Sequence, residues 1–307
     1  MQCPPLARLE VSMRFAEIGQ QLRAYRLESG LRAEEIAARL GVSRAALYRY
    51  EKGEVIKLDT VKRLAELLKV SPLSLLGIGV EYYSRSVGYF ERIRQIEESA
   101  DQVLQAYGSC LYLITSDAFD AAVADGLSEA ASQTGTDTAA FRTNADQVLG
   151  ILGARKRIYA QRRPGIIAIL SPQSIQSFLS LGVLGSLKLS DALRTRCRRV
   201  AMAEVQNIAD LMETEPMGLQ FGLLASNETA SGFSIFRTRD RATLAANPFH
   251  ADGLPSAQTG VATITGADEA IAAHQRVAEA MWRDAVKGPV GAGRLREIVR
   301  EMQTNQS

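Results

Sequence analysis

Ser43, Arg44, Ala45, Tyr48, Arg49 and Lys52 fall in one short run, Ser-Arg-Ala-Ala-Leu-Tyr-Arg-Tyr-Glu-Lys. At helical spacing Leu47 and Tyr50 turn to one side, and Arg44, Ala45, Tyr48 and Arg49 are left on the other. The chemistry open to that outer side is recognition of a duplex. An arginine at the amino-terminal end of a helix pairs bidentately with guanine, and an alanine meets the methyl group of thymine. Arg49, nearly a turn and a half further on, reads another base or grips phosphate. Ser43 is a good N-cap for this helix, and Lys52-Gly53 closes it. Lys57 and the amides opening the following helix are placed to meet the backbone of the same duplex.

The surrounding elements read as a five-helix head. Helix one is predicted from about Met13 to Glu28, with Phe15, Ile18, Leu22 and Tyr25 along one face, and Ser29-Gly30 ends it. Helix two spans roughly Ala33 to Leu40 and turns Ile36, Ala37 and Leu40 inward. Gly41 makes the turn and Val42 plugs the core beneath it. Helix three runs from about Arg44 to Glu51, helix four from Thr60 to Lys69, and Pro72 stands in the first turn of helix five. Leu64, Leu67, Leu68, Val70, Leu73 and Leu76 are expected to complete the core.

Phe15 to Leu76 resembles the Cro and lambda-repressor-like helix-turn-helix family, also called the XRE family. The residues that carry the resemblance are Ile36-Ala37-Ala38-Arg39-Leu40-Gly41-Val42-Ser43, Tyr50-Glu51-Lys52-Gly53, and Leu64-Ala65 through Val70. The resemblance implies a prokaryotic or phage-type transcription factor whose second and third helices dock on double-stranded DNA. One place departs from the family. Its helix two often opens with Ser or Thr followed by a phosphate-clamping Gln, and Arg32 and Ala33 stand there. Arg32 takes the phosphate contact in this reading.

Charge is distributed in the same sense. Residues 1–78 carry 13 Lys/Arg against 9 Asp/Glu, and the remainder 23 against 25. A basic head on a slightly acidic body is the asymmetry expected when only the head meets phosphates. An αα-hairpin with a glycine turn is otherwise compatible with a purely structural role. The three cysteines, Cys3, Cys110 and Cys197, are odd in number and far apart, so no disulfide framework is implied. The start of the chain lacks the apolar h-region of a signal peptide, and apolar runs such as Gly165 to Leu170 are far below the ~18 residues of a membrane span. A soluble, cytoplasmic, nucleoid-associated protein is expected.

Beyond the head, Glu81 to about Ala106 reads as one long helix, so that 79–107 is a linker or signalling helix and 108–307 a regulatory domain. The apolar stripe of that helix serves dimerisation, or packs on its own large domain. Buried strands are predicted at Cys110–Thr115, Gly165–Leu170 and Leu219–Leu224. A hairpin is expected from 234–236 to 242–244 about Arg239-Asp240, and another strand near Gly260–Ile264. Helices are expected over Ala118–Ala131, Ala139–Tyr159, Pro172–Leu181, Ser190–Met212, Ala267–Val286 and Gly293–Met302. Strands alternating with helices point to an α/β layer, with α+β as the alternative.

There is no phosphate-binding G-x-x-x-x-G-K-[ST] loop and no H-E-x-x-H helix, and His250 and His274 are the only histidines. No metal, cofactor or catalytic residue is assigned. Arg155 and Arg157 with Lys156, then Arg162 and Arg163, form one basic cluster. Arg194 and Arg198 with Arg196 and Arg199 form another. If they converge they would bind an anionic effector; otherwise they are solvated helix faces. Cys197, among arginines, is a candidate redox thiol or a small core residue. The expectation is a homodimeric transcriptional regulator on a partly palindromic operator, modulated by a small molecule. The alternatives are an enzyme with an accessory DNA-binding head, and an antitoxin-type autorepressor.

Overall fold

Two cap signals and one glycine set the geometry of the head. Ser43 accepts a hydrogen bond from the Ala46 amide at 3.1 Å and so starts the third helix. Ser71 does the same for Leu73, with Pro72 at the first helical position. Gly41, at φ +71°, ends the second helix in the left-handed conformation that a side chain disfavours. In the computed structural model, which describes residues 5–133, 138–185, 187–225, 232–247 and 260–304, the head is α1 (Pro5–Ser29), α2 (Ala33–Leu40), α3 (Arg44–Glu51), α4 (Leu58–Leu68) and α5 (Pro72–Leu75).

Leu22, Ile36, Leu47 and Leu64 are fully buried and form the centre of this bundle. Phe15 is in α1, with its side chain outside the described residues. The helix begins earlier than expected. Leu73 is also a correction, being 56% exposed; the single turn of α5 aims Leu75 inward in its place.

The rest of the chain builds one eight-stranded sheet from β1 (Val80–Tyr83), β2 (Gln102–Gly108), β3 (Gly165–Leu170), β4 (Leu219–Leu223), β5 (Phe233–Arg237), β6 (Ala242–Ala246), β7 (Ala262–Thr265) and β8 (Val286–Lys287). The strand order is β1-β7-β6-β5-β2-β3-β4-β8. β2, β3 and β4 run parallel at one side of the middle, and every other pairing is antiparallel. The helices are α6 (Ser86–Glu97), α7 (Asp117–Gln133), α8 (Thr138–Arg162), α9 (Pro172–Leu181), α10 (Asp191–Thr214), α11 (Asp268–Asp284) and α12 (Gly288–Thr304).

Alternation along the strands divides the core. Ile166, Ala168 and Leu170 face the layer that holds α6 to α10 and α12. Ile169, Ile235 and Leu244 face the other side, where Ile271, Ala278 and Met281 of α11 cover them. The architecture is α/β.

Two expectations about this region are corrected. The single helix over 81–106 is instead β1, α6 and β2. Its first three residues, with Val80 before them, find a ladder partner in β7, and Gln102–Gly108 is drawn between β3 and β5, so tertiary pairing overrides the helical pattern. Residues 79–107 are thus part of the sheet domain, contributing one edge strand and one interior strand. Cys110–Thr115 is not a strand either. It is a buried segment ending in a short 3-10 turn, Tyr112–Ile114, because β2 already occupies the adjacent sheet position. The β5–β6 hairpin and the strands at 165–170, 219–223 and 262–265 appear where expected.

The head is fastened to this sheet through α1 and α6. The Glu28 carboxylate at the end of α1 accepts from the Ser84 amide and hydroxyl at 2.6 and 2.7 Å, and from the Arg85 amide, so it caps α6 across the boundary. Arg23 pairs with Glu91 at 2.8 Å. Gln95 donates to the Gln20 carbonyl at 3.1 Å. Gln21 donates to Glu81 of β1 at 2.6 Å. A contact set of this kind fixes the orientation of the head.

Candidate nucleic-acid interface

Three constraints hold α3 in place. Leu47 anchors its inner face with no exposed surface. Glu51, nearly buried, receives Arg26 of α1 at 2.5 and 3.0 Å. Gly53, at φ +91°, lets the chain leave the helix against α1; an added Cβ there would stand 2.7 Å from the Ala16 Cα. The glutamate and glycine of the Tyr50-Glu51-Lys52-Gly53 segment therefore act by docking α3 on α1.

The outer face is open to solvent. Ser43, Arg44, Ala45, Arg49 and Lys52 are exposed, as are Lys57 and Arg32. Lys57 is the N-cap residue of α4. Arg32 is the N-cap residue of α2, where its amide donates to Glu35 at 2.8 Å and its own side chain stays outside. Arg32 at the start of α2 and Arg44 of α3 border one cleft at a corner of the head.

The arginines are partly pre-positioned. Arg44 donates through Nε and Nη2 to the Tyr48 hydroxyl at 3.3 and 3.2 Å, and its Nη1 lies 2.7 Å from Glu34. The same guanidinium stands 5.3 Å from the centre of the Tyr48 ring. The Tyr48 hydroxyl and the Glu34 carboxylate raise the Arg44 pKa, so it stays a cation. Arg49 pairs with Glu54 at 3.4 Å, and both side chains are more than half exposed. Tyr48 was expected to face outward; it is half-buried and acts as the brace for Arg44. The i,i+4 spacing of Arg44 and Tyr48 carried that signal; nothing local pointed to Glu34.

A cleft separates this corner from the amino-terminal half of α8. Arg32, Arg44 and Tyr48 line one wall, and Ala139, Thr143 and Gln147 the other. The body therefore stands beside the outer face of α3 without covering it.

The body arginines do not gather in one place. Arg155 is buried and makes a two-pronged pair with Glu97 at 2.8 Å on each arm. Arg157 points to solvent, and Lys156 is taken up by Asp120 and the Thr115 carbonyl. Arg162 reaches the Ala100 carbonyl and Asp101, and Arg163 is exposed at φ +47° just past the end of α8. Arg194 is exposed beside the Leu189 carbonyl, and Arg198 donates to the Ser180 carbonyl at 2.7 Å. No described cavity receives more than one of these six.

Cys197 is fully buried, and burial pushes its thiol pKa up while the adjacent Arg196, itself paired with Asp125, pulls less strongly the other way. His274 bonds the Ala270 carbonyl at 2.8 Å and packs edge-on against Phe233. His250 lies outside the described residues. Among the described residues no group of three or more His, Cys, Asp or Glu is arranged to hold a metal ion, and no helix is long and apolar enough to cross a membrane.

Comparison with known proteins adds to the geometry of the head. Residues 17–75 match the model of a helix-turn-helix domain, in agreement with the five helices just described. A protein of Pyrococcus horikoshii, provisionally described as an HTH-type transcriptional regulatory protein, is 41% identical over 78 residues. That stretch is 24% of this chain and 25% of the relative, so the chain matches about a quarter of the relative's length. The head is thus similar to helix-turn-helix domains over residues 17–75.

Proposed function

We propose that the chain is a sequence-specific DNA-binding transcriptional regulator in which α3 enters the major groove. The observation that carries the reading is the free outer face of α3. Ser43, Arg44, Ala45 and Arg49 are exposed on a helix whose other side is locked to α1, in a domain that matches helix-turn-helix proteins. Arg44 sits at the amino-terminal end of the helix, from which base edges are read, and Ala45 is beside it for a thymine methyl. Lys52, Lys57 and Arg32 surround that face and serve as phosphate contacts that set register.

The reading extends to a homodimer, because one eight-residue recognition helix reads only a half-site. Two heads then address a partly palindromic operator with half-site centres ~34 Å apart or a multiple of it. The body is read as a sensor that responds to a small molecule, without catalysis of its own, and the protein as one that works in the cytoplasm on the nucleoid.

The test is operator selection followed by retardation assays with the Arg44→Ala/Arg49→Ala double variant. Each lost bidentate base contact reduces discrimination by about ten- to a hundredfold, and affinity for the selected sequence should fall toward that for random DNA. Binding of the wild type should weaken steeply with salt, as phosphate contacts release counterions. Unchanged sequence preference in the folded double variant would refute the assignment. Sedimentation of the free protein and of its operator complex checks the dimer.

A further inference from the structure

At the carboxyl end of β2 the sheet changes character, with parallel β3 on one side and antiparallel β5 on the other. Such points in α/β sheets open crevices that receive ligands. The backbone is irregular there. Tyr107 has φ +60°, and the ladder to β3 shifts register between Ala106 and Gly108. A cavity of about 90 Å³ lies at this spot, and its walls include Tyr89, Phe90, Gln105, Arg155, Ser174 and Phe233.

Arg155 is the unusual wall. It is nine-tenths buried, and its Nε and Nη2 are both given to Glu97 at 2.8 Å. Its Nη1 donates no hydrogen bond among the described residues, while the guanidinium lies 5.7 and 5.5 Å from the centres of the Phe90 and Tyr112 rings. Two donor protons on a fixed guanidinium beside a cavity suit an oxygen acceptor, and a carboxylate oxygen makes the stronger, charge-assisted bond.

Charge and size narrow the class. Glu97 already neutralises the guanidinium, so a bound monoanion is held by directed hydrogen bonds and not by net charge, and a dianion is strongly disfavoured. The volume is below the ~150 Å³ that admits a benzene ring. The aromatic walls suit a short alkyl or acyl group, and Ser174 and Gln105 supply polar atoms beside it.

We propose that this cavity binds a monocarboxylate of two to four carbons, held by the Nη1 edge of Arg155. The inference gives the sensor reading above its ligand site and rests on that reading for its regulatory sense alone. α6 is the shared element. Tyr89, Phe90 and Ile93 line the cavity, while Glu91 of the same helix holds Arg23 of the head. Occupation of the cavity therefore bears directly on the helix to which the head is fastened.

The experiment is calorimetric titration of the full chain with acetate, lactate and pyruvate against sodium chloride of equal ionic strength. Saturable one-site binding of at least one acid is expected. Arg155→Lys keeps a cation for Glu97 and loses the free planar edge; Ser174→Leu fills the cavity from α9 and leaves the ion pair alone. Each should bind at least tenfold more weakly, with folding checked by circular dichroism. If neither variant folds, NOEs between the acetate methyl and the Tyr89 and Phe233 rings of the wild type decide. The proposal fails if no acid gives saturable heat, if inorganic phosphate binds more tightly than all three, if the folded variants bind like wild type, or if those NOEs are absent. Operator retardation measured on the same preparations keeps the two readings apart. Acid binding without DNA binding would sink the DNA reading, and DNA binding without acid binding would sink this one.

Discussion

Glu81→Gln is the sharpest probe of how the head is held. The Glu81 carboxylate is 6% exposed and accepts from Gln21 of α1 at 2.6 Å and from the Tyr83 hydroxyl at 2.7 Å. It also accepts from Arg92, through Nε at 3.0 and 3.2 Å and Nη2 at 3.1 Å. The Arg92 side chain is only 14% exposed; burial works against its charge, and Glu81 outweighs that, so it remains a cation. A glutamine keeps the shape and removes the counter-charge. The uncompensated arginine then costs about 3–5 kcal/mol, whereas an exposed pair contributes under ~1 kcal/mol. Glu98→Gln is the control, since Glu98 is 42% exposed and pairs with Arg94 on the surface of α6. In calorimetry the Glu81 variant should melt on the order of 10 °C lower, and the control within a few degrees of wild type. Amide exchange should accelerate first in α6 and the second half of α1, the two helices the network ties together. A Glu81→Gln protein that melts with the control would refute the claim that this network fastens head to sheet.

Gly53→Ala combines a positive φ with a Cβ 2.7 Å from the Ala16 backbone, so it should destabilise the head by about 2 kcal/mol and weaken operator binding by displacing α3. Urea unfolding checks the first and retardation the second; a wild-type midpoint would show that the α1–α3 contact is not tight. Acid should act on Glu91. Burial raises its pKa, but Arg94 and Arg23 hold it below the usual carboxylate range, so its contribution is present above the unfolded value and lost as pH falls through the folded one. Stability should fall below about pH 4 in wild type, and a Glu91→Gln variant should show a shallower acid limb in the same titration.

What could be read from the chain alone follows the range of the forces involved. Ser43, Gly41 and the Leu47/Tyr50 spacing are local signals, and the helices they imply are present. The hairpin about Arg239-Asp240 is likewise local. The stretch 81–106 misled because its apolar residues fit a helix, while its conformation is decided by β7 from nearly two hundred residues away and by β3 and β5. Arg155 was legible as a cation and not as a buried one. Its partner Glu97 lies some sixty residues earlier in the chain, and only the packing of α8 on α6 brings the two together.

On the reading proposed above, that packing changes what regulation by an effector requires of this molecule. A head on a flexible tether would find its half-site whatever the body did, and a signal would have to act on the dimer contact alone. Here α6 carries the Glu28-capped end and the Arg23–Glu91 pair on the side of the head, and the cavity wall with the Glu97–Arg155 pair on the other. Interiors packed this densely transmit displacements instead of absorbing them. A shift of α6 by a fraction of a helical turn moves α1, and α3 moves with it because Arg26 and Glu51 bind the two. In a dimer that displacement is doubled about the symmetry axis, while the spacing of operator half-sites is fixed by DNA geometry. A ligand with different affinities for the two positions of α6 is therefore sufficient to change operator affinity, with no contact to DNA and no rearrangement of the head itself.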